Sequence, residues 1–159
     1  MGFLSRLFGA RDPLLRLAQG ADRRAFVRAL GESDVTMLGA LTHPGLPADG
    51  LTPEAVLAMT EEACKKLSDA EKIEPFTYGR DGRECLPVFR TSDRAQAFVG
   101  AYSKEKNRVF PFQVITLLGR SIVDPIAGCD RVILNDGSED ACELSSEDRK
   151  LFVEMWKRV

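Results

Sequence analysis

The chain has 159 residues, 44% of them hydrophobic and 29% charged, with a formal net charge of −2. That length suits one domain and buries roughly 70% of the unfolded surface, so the core needs neither disulfide nor metal to hold it. The near-neutral balance excludes a general nucleic-acid binder, which carries a net basic footprint, and no run approaches the roughly 18 apolar residues that span a bilayer.

The start, Met1–Phe8, is too short for the apolar region of a secretory leader and is interrupted by Arg6. The expected location is therefore the cytoplasm, with Cys64, Cys85, Cys129 and Cys142 as reduced thiols. Residues 1–10 read as an amphipathic tail and 11–159 as one domain. In the tail, Phe3, Leu4, Leu7 and Phe8 share one helical face, and Gly9 offers a stop. So short a helix is not stable alone, so this face is a candidate docking surface for the domain itself, a partner or a membrane surface. The myristoylation pattern is not met, because Arg6 stands where Ser or Thr is required.

Asp12-Pro13 is a helix start, an N-cap followed by proline at the first turn. Leu14, Leu17 and Ala18 form its stripe and Gly20 closes it. Asp22 caps a second helix with Phe26, Ala29 and Leu30 inward and Gly31 as its end. Val35–Leu41 is a short apolar run bounded by Asp34 and the Pro/Gly-rich stretch 42–50, the signature of a buried strand. Thr52-Pro53 opens a third helix with Val56, Met59, Ala63 and Leu67 at helical spacing.

Ile73–Gly79 and Arg83–Phe89 alternate as strands around Arg80-Asp81-Gly82, and Asp-Gly supplies the positive φ angles of a tight hairpin. Pro75 and Pro87 require that at least one of these strands be an edge strand or carry a bulge. Ser92 is the expected cap of a helix with Ala95, Phe98, Val99 and Tyr102 on one face, leaving through Lys104, Lys106, Asn107 and Arg108. Val109–Thr116 reads as a strand, Ser121–Ala127 as a helical turn ended by Gly128, and Arg131–Leu134 as a short buried strand. Asn135-Asp136-Gly137-Ser138 is a turn. Ser145 with Asp148 three residues on resembles a capping box, opening a last helix with Leu151, Phe152, Met155, Trp156 and Val159 on its apolar face. The expected fold is α/β: a mixed sheet of about five strands with helices packed on it, and parallel crossovers between residues 84 and 134.

Charge is unevenly spread. Arginines dominate residues 1–31, and Asp136, Glu139, Asp140, Glu143, Glu147 and Asp148 make 136–148 acidic. These read as two solvated faces of opposite sign rather than a recognition surface. The acidic cluster lacks the order of a calcium loop. No phosphate-cradling glycine loop and no nucleophile elbow occur, and no cysteine pair has zinc-ligand spacing. Cys64 and Cys85 read as core residues, Cys129 and Cys142 as the exposed thiols, with Asp130, Asp140 and Glu143 raising their pKa values. The lone His43, in a Pro/Gly loop, reads as a surface residue. No catalytic residue, metal ligand or cofactor is assigned.

Two stretches resemble a known bacterial family. Leu86-Pro87-Val88-Phe89-Arg90-Thr91-Ser92, leading into Ala95 and Phe98, resembles a strand-to-helix segment of the SseB N-terminal domain family, known for enhanced serine sensitivity. Val132–Ser138, followed by Leu144-Ser145 and the last helix, is similar to that family's second segment, with Asp136 where proline is common. Arg24–Phe26 and Val35–Met37 are similar to its opening helix and strand. The resemblance spans about residues 14–155 and implies the fold, with 44–70 as an insertion. The expected function is a non-catalytic binding or regulatory module acting through a protein partner and not through nucleic acid. Two alternatives stand beside it: a small metabolic enzyme using a thiol or His43, and a peripheral protein touching membrane or partner through Phe3, Leu4, Leu7 and Phe8.

Overall fold

The computed structural model describes residues 12–42, 46–68 and 72–157. The docking residues Phe3, Leu4, Leu7 and Phe8, together with His43, lie outside them.

Side-chain caps set the helix starts. Asp12 opens α1 (Pro13–Ala18), Asp22 opens α2 (Arg23–Glu32), Thr52 opens α3 (Pro53–Leu57) and Ser145 opens α7 (Ser146–Trp156). Each cap accepts a hydrogen bond from an N–H two or three residues on. Asp148 returns the bond to the Ser145 N–H, completing the expected capping box. α5 (Ser92–Lys106) is capped by Thr91 and not by Ser92: Thr91 is extended, and its hydroxyl accepts from the Arg94 N–H. α4 spans Glu61–Ser68 and α6 Val123–Gly128.

The single helix expected from Thr52 onward is two, α3 and α4, parted at residues 58–60. No residue of α3 is buried and Leu57 is 88% exposed, so no packed face drives the chain through the break. Gly31 does not end α2 but lies inside it. A Cβ there would stand 2.2 Å from Trp156 Nε1, so the missing side chain lets α7's indole lie against α2.

The sheet has seven strands: β1 (Asp34–Thr42), β2 (Lys72–Pro75), β3 (Tyr78–Arg80), β4 (Arg83–Phe89), β5 (Phe112–Leu118), β6 (Arg131–Leu134) and β7 (Cys142–Glu143). β1 pairs β5 antiparallel along residues 34–40. On its other edge it pairs β4 at Thr36 and Met37, then β2 from Gly39 on. β4 pairs β6 in parallel, and β6 pairs β7 antiparallel.

Seven strands replace the expected five for two reasons. β7 is a two-residue addition. The run 73–79 divides because it changes partner: β2 follows β1, Phe76 N–H bonds the Leu38 carbonyl, and β3 then follows β4. β1 and β4 splay apart beyond the Met37–Val88 pair, and this segment fills the fork. The Asp81-Gly82 turn closes the β3–β4 hairpin with φ of 53° and 73°, as its sequence requires. Pro75 sits on the short strand β2, and Pro87 falls between the part of β4 that pairs β3 and the part that pairs β1.

β5 starts three residues later than expected. Val109 makes an isolated bridge to Leu51, and Pro111, with no N–H, separates it from the ladder. Of the expected crossovers, β4 to β6 is parallel, whereas β5 leaves to the far side of β1 and runs antiparallel.

Helices cover both faces. α1, α2, α6 and α7 enclose the larger core of Phe26, Leu30, Leu86, Leu134 and Phe152. α5 covers the other face over Leu38, Phe76, Phe89 and Ala95. Burying side chains of this size stabilises by about 1.5–3 kcal/mol each. Among the described residues no helix is long and apolar enough to cross a membrane.

Candidate functional site: the cleft between α5 and the hairpin

Strand alternation turns Phe76 and Tyr78 to the α5 side of the sheet, where helical spacing presents Phe98 and Tyr102. Tyr78, Phe98 and Tyr102 form a triangle of rings with each pair of centroids 5.8 Å apart. Phe76 braces it from below at 5.4 Å from Tyr102 and 4.4 Å from Phe112. This cluster floors a cleft of about 430 Å3 between α5, β3 and the turn Asp136–Ser138. The exposed residues Ala97 and Ala101 make its α5 wall shallow and apolar.

The polar end is built by the turn. Asn135 and Gly137 adopt φ of 54° and 78°, and the Ser138 N–H and hydroxyl both donate to the Asn135 carbonyl. Asn135 Oδ1 accepts from the Arg90 N–H, which fixes the turn to the end of β4. Asp136 is thereby held in a buried position, where the Tyr78 hydroxyl donates to it and Arg80 stands 4.0 Å away. Arg94 of α5 closes the same end, bonded to Asp140 and Ser138.

Burial, then the bond to Asp136, pushes the Tyr78 phenol well above its ordinary value, so it stays a protonated donor. Burial raises Tyr102 as well. Burial alone would raise Asp140, but the Ser138 hydroxyl and Arg94 outweigh it and hold it below the usual carboxylate range. Two cations stand at the rim, and Tyr78 and then Asp136 hold the Arg80 guanidinium above its ordinary value. Arg80 keeps half its side chain in solvent. Lys106 lies 5.6 Å from the Tyr102 ring centroid, with the exposed Glu105 carboxylate 3.4 Å from its ammonium.

The acidic stretch is not a solvated face. Asp136 and Asp148 are buried, and Asp148, Asp140 and Glu143 are gripped by Arg23, Arg94 and Arg131. A guanidinium matches a carboxylate with two parallel bonds, so arginines scattered in the sequence converge on this segment. Arg90 likewise bonds Asp12 at 2.6 Å and the Asp34 carbonyl.

The thiols are placed differently from expectation. Cys85 is buried, as its strand position implied, but Cys64 is exposed because α4 does not bury that side. Cys129 is buried where the chain leaves α6 for β6, and burial ahead of Glu84 and Asp130 pushes its pKa up to about 11. Cys142 is half-buried and also raised, first by burial. Among the described residues no three His, Cys, Asp or Glu side chains are placed to share a metal ion.

Sequence reasoning missed the cleft. Its signal was the alternation of Phe76 with Tyr78 opposite Phe98 and Tyr102, read only as core, and the Asp at position 136 in a turn. Comparison with family models, with curated proteins and with solved structures found no match.

Proposed function

We propose that the protein is a non-catalytic binding module whose cleft takes a small anion carrying an aromatic or apolar ring. The observation that carries this reading is the pairing of an apolar floor (Ala97, Phe98, Ala101, Tyr102) with two part-exposed cations at its rim, Arg80 and Lys106. The volume falls in the range of small-molecule sites, which are mostly apolar with a few placed polar groups. The polar groups at its closed end are spent on one another, Tyr78 on Asp136 and Arg94 on Asp140, which fixes that wall of the cleft. We place the chain among SseB-like proteins as part of the same proposal, on the segments that form β4, β6 and the Asn135–Ser138 turn.

The test is a fluorescence titration with anilinonaphthalene sulfonate, an aromatic anion. Saturable binding is expected, weakened about tenfold in Ala101→Trp, which fills the cleft, and in Arg80→Ala with Lys106→Ala, which removes the charge; tenfold corresponds to about 1.4 kcal/mol. Binding unchanged in both variants rejects the reading.

A further inference from the structure

α5 is shorter than the sheet it covers. Asn107 adopts φ of 50° and ends the helix just past Tyr102, whereas β1 runs on to Thr42 beside β2. Ala40 of β1 and Phe112 of β5 face one another across the ladder on the α5 side. There they line a groove of about 440 Å3, to which α5 contributes only Tyr102. Tyr102 also walls the cleft, so the two volumes meet at one ring. The rings continue from one volume into the other. Tyr102 stacks on Phe98 of the cleft at 5.8 Å, lies 5.2 Å from Phe110 of the groove, and Phe110 stacks on Phe112 at 5.5 Å. Lys106 stands over the Tyr102 ring, where the volumes join.

The groove is poor in hydrogen-bonding groups to offer. Pro47, Pro75 and Pro111 in its lining have no N–H. The N–H groups of Leu41, Phe76 and Phe112 are spent on the carbonyls of Pro111, Leu38 and Phe110, and the Thr77 hydroxyl donates to Glu84. Among the described residues its one charged lining residue is a carboxylate, Glu74. Such walls suit an uncharged apolar body, which needs no hydrogen-bond partner. They disfavour a peptide strand, whose polar groups would be buried unpaired, and an anionic group, which Glu74 would oppose.

We infer that the ligand of the cleft is an amphiphile, an aromatic anion with a linear apolar tail that passes over Tyr102 into the groove. This rests on the reading of the cleft as an anion site, and it sets which end goes where. The anionic group stays with the rim cations Arg80 and Lys106, away from Glu74. The ring lies on Phe98 and Ala101, and the tail follows Tyr102, Phe110 and Phe112. Each methylene of the tail that leaves water in the groove strengthens binding about threefold.

Calorimetric titration and backbone-amide NMR with para-alkylbenzene sulfonates, from ethyl to octyl and below micelle formation, test this. Affinity is expected to climb about threefold per added methylene until the groove is filled. Every member of the series should shift Gly79, Ala97 and Ala101 in the cleft, and the longer ones should add Thr42, Ala48 and Phe110 in the groove. Cleft shifts with no gain in affinity beyond the ethyl compound overturn the amphiphile and leave the anion site standing. So do groove amides that the octyl compound leaves unmoved. Cleft amides unmoved by every member reject the anion site and this inference with it.

Discussion

Arg23 and Asp148, 125 residues apart in the chain, form a two-pronged ion pair, Nε to Oδ1 at 2.8 Å and Nη2 to Oδ2 at 2.7 Å. The same guanidinium bonds the carbonyls of Ala18 and Gly20 where α1 ends, and the same carboxylate caps α7. One contact thus ties the first two helices to the last. Removing Arg23 leaves a fully buried carboxylate with only its capping bonds. Arg23→Ala is expected to cost about 3 kcal/mol in urea denaturation. Arg23→Lys should recover only part, because an ammonium cannot present the fork.

Acid should unfold the protein by releasing such pairs. Burial opposes ionisation of Asp148, but Arg23 and the Ser145 N–H and hydroxyl outweigh it, and the carboxyl sits below its ordinary value of 3.8. Asp140 is lowered likewise, and Glu143 is lowered first by its bond to Arg131. With folded values below unfolded ones, the unfolded chain binds more protons in this range, so stability rises with pH. The contribution is complete above about pH 5 and is lost as pH falls through the folded values. The urea midpoint should be flat from neutrality to that point and then fall, with a shallower fall in Asp148→Asn. A midpoint that rises toward acid contradicts the sign.

Two glycines are close-approach positions. Gly31→Ala should cost about 1–3 kcal/mol by pushing the Trp156 indole aside, with a shift in tryptophan emission. Gly119→Ala should cost more, because its Cβ would stand 1.9 Å from the Leu30 carbonyl oxygen, and backbone cannot swing away as a side chain can. Equal, small losses for the two would contradict this packing.

Thiol labelling at neutral pH should find Cys64 fast, Cys142 slow, and Cys85 and Cys129 silent until denaturant is added. The order follows exposure together with the raised pKa values of the last three. Rapid reaction at Cys129 would contradict its burial.

Local signals were legible in the sequence wherever one residue type settles a backbone conformation. Asp12-Pro13, Asp81-Gly82 and the Ser145/Asp148 box all form as written. What was not legible depends on partners distant in the chain. Nothing local says that the run 73–79 must switch from β1 to β4 at Phe76, or that Gly31 sits inside a helix because Trp156 arrives 125 residues later. Composition made 136–148 look like a solvated acidic face, and only the fold brings Arg23, Arg94 and Arg131 to it. The cleft was hidden for the same reason. Phe98 and Tyr102 have the spacing of a core stripe, and it takes the hairpin's placement to leave one side of that stripe open.

The binding reading is tested most directly by backbone-amide NMR during titration with anilinonaphthalene sulfonate. The largest shifts are expected on Gly79, Arg80, Ala97, Ala101 and Gly137, which line the cleft on three separate elements. Shifts that instead concentrate on Ile126, Ala127 and Val153, in the groove between α6 and α7, or that leave the cleft residues unmoved, would contradict it.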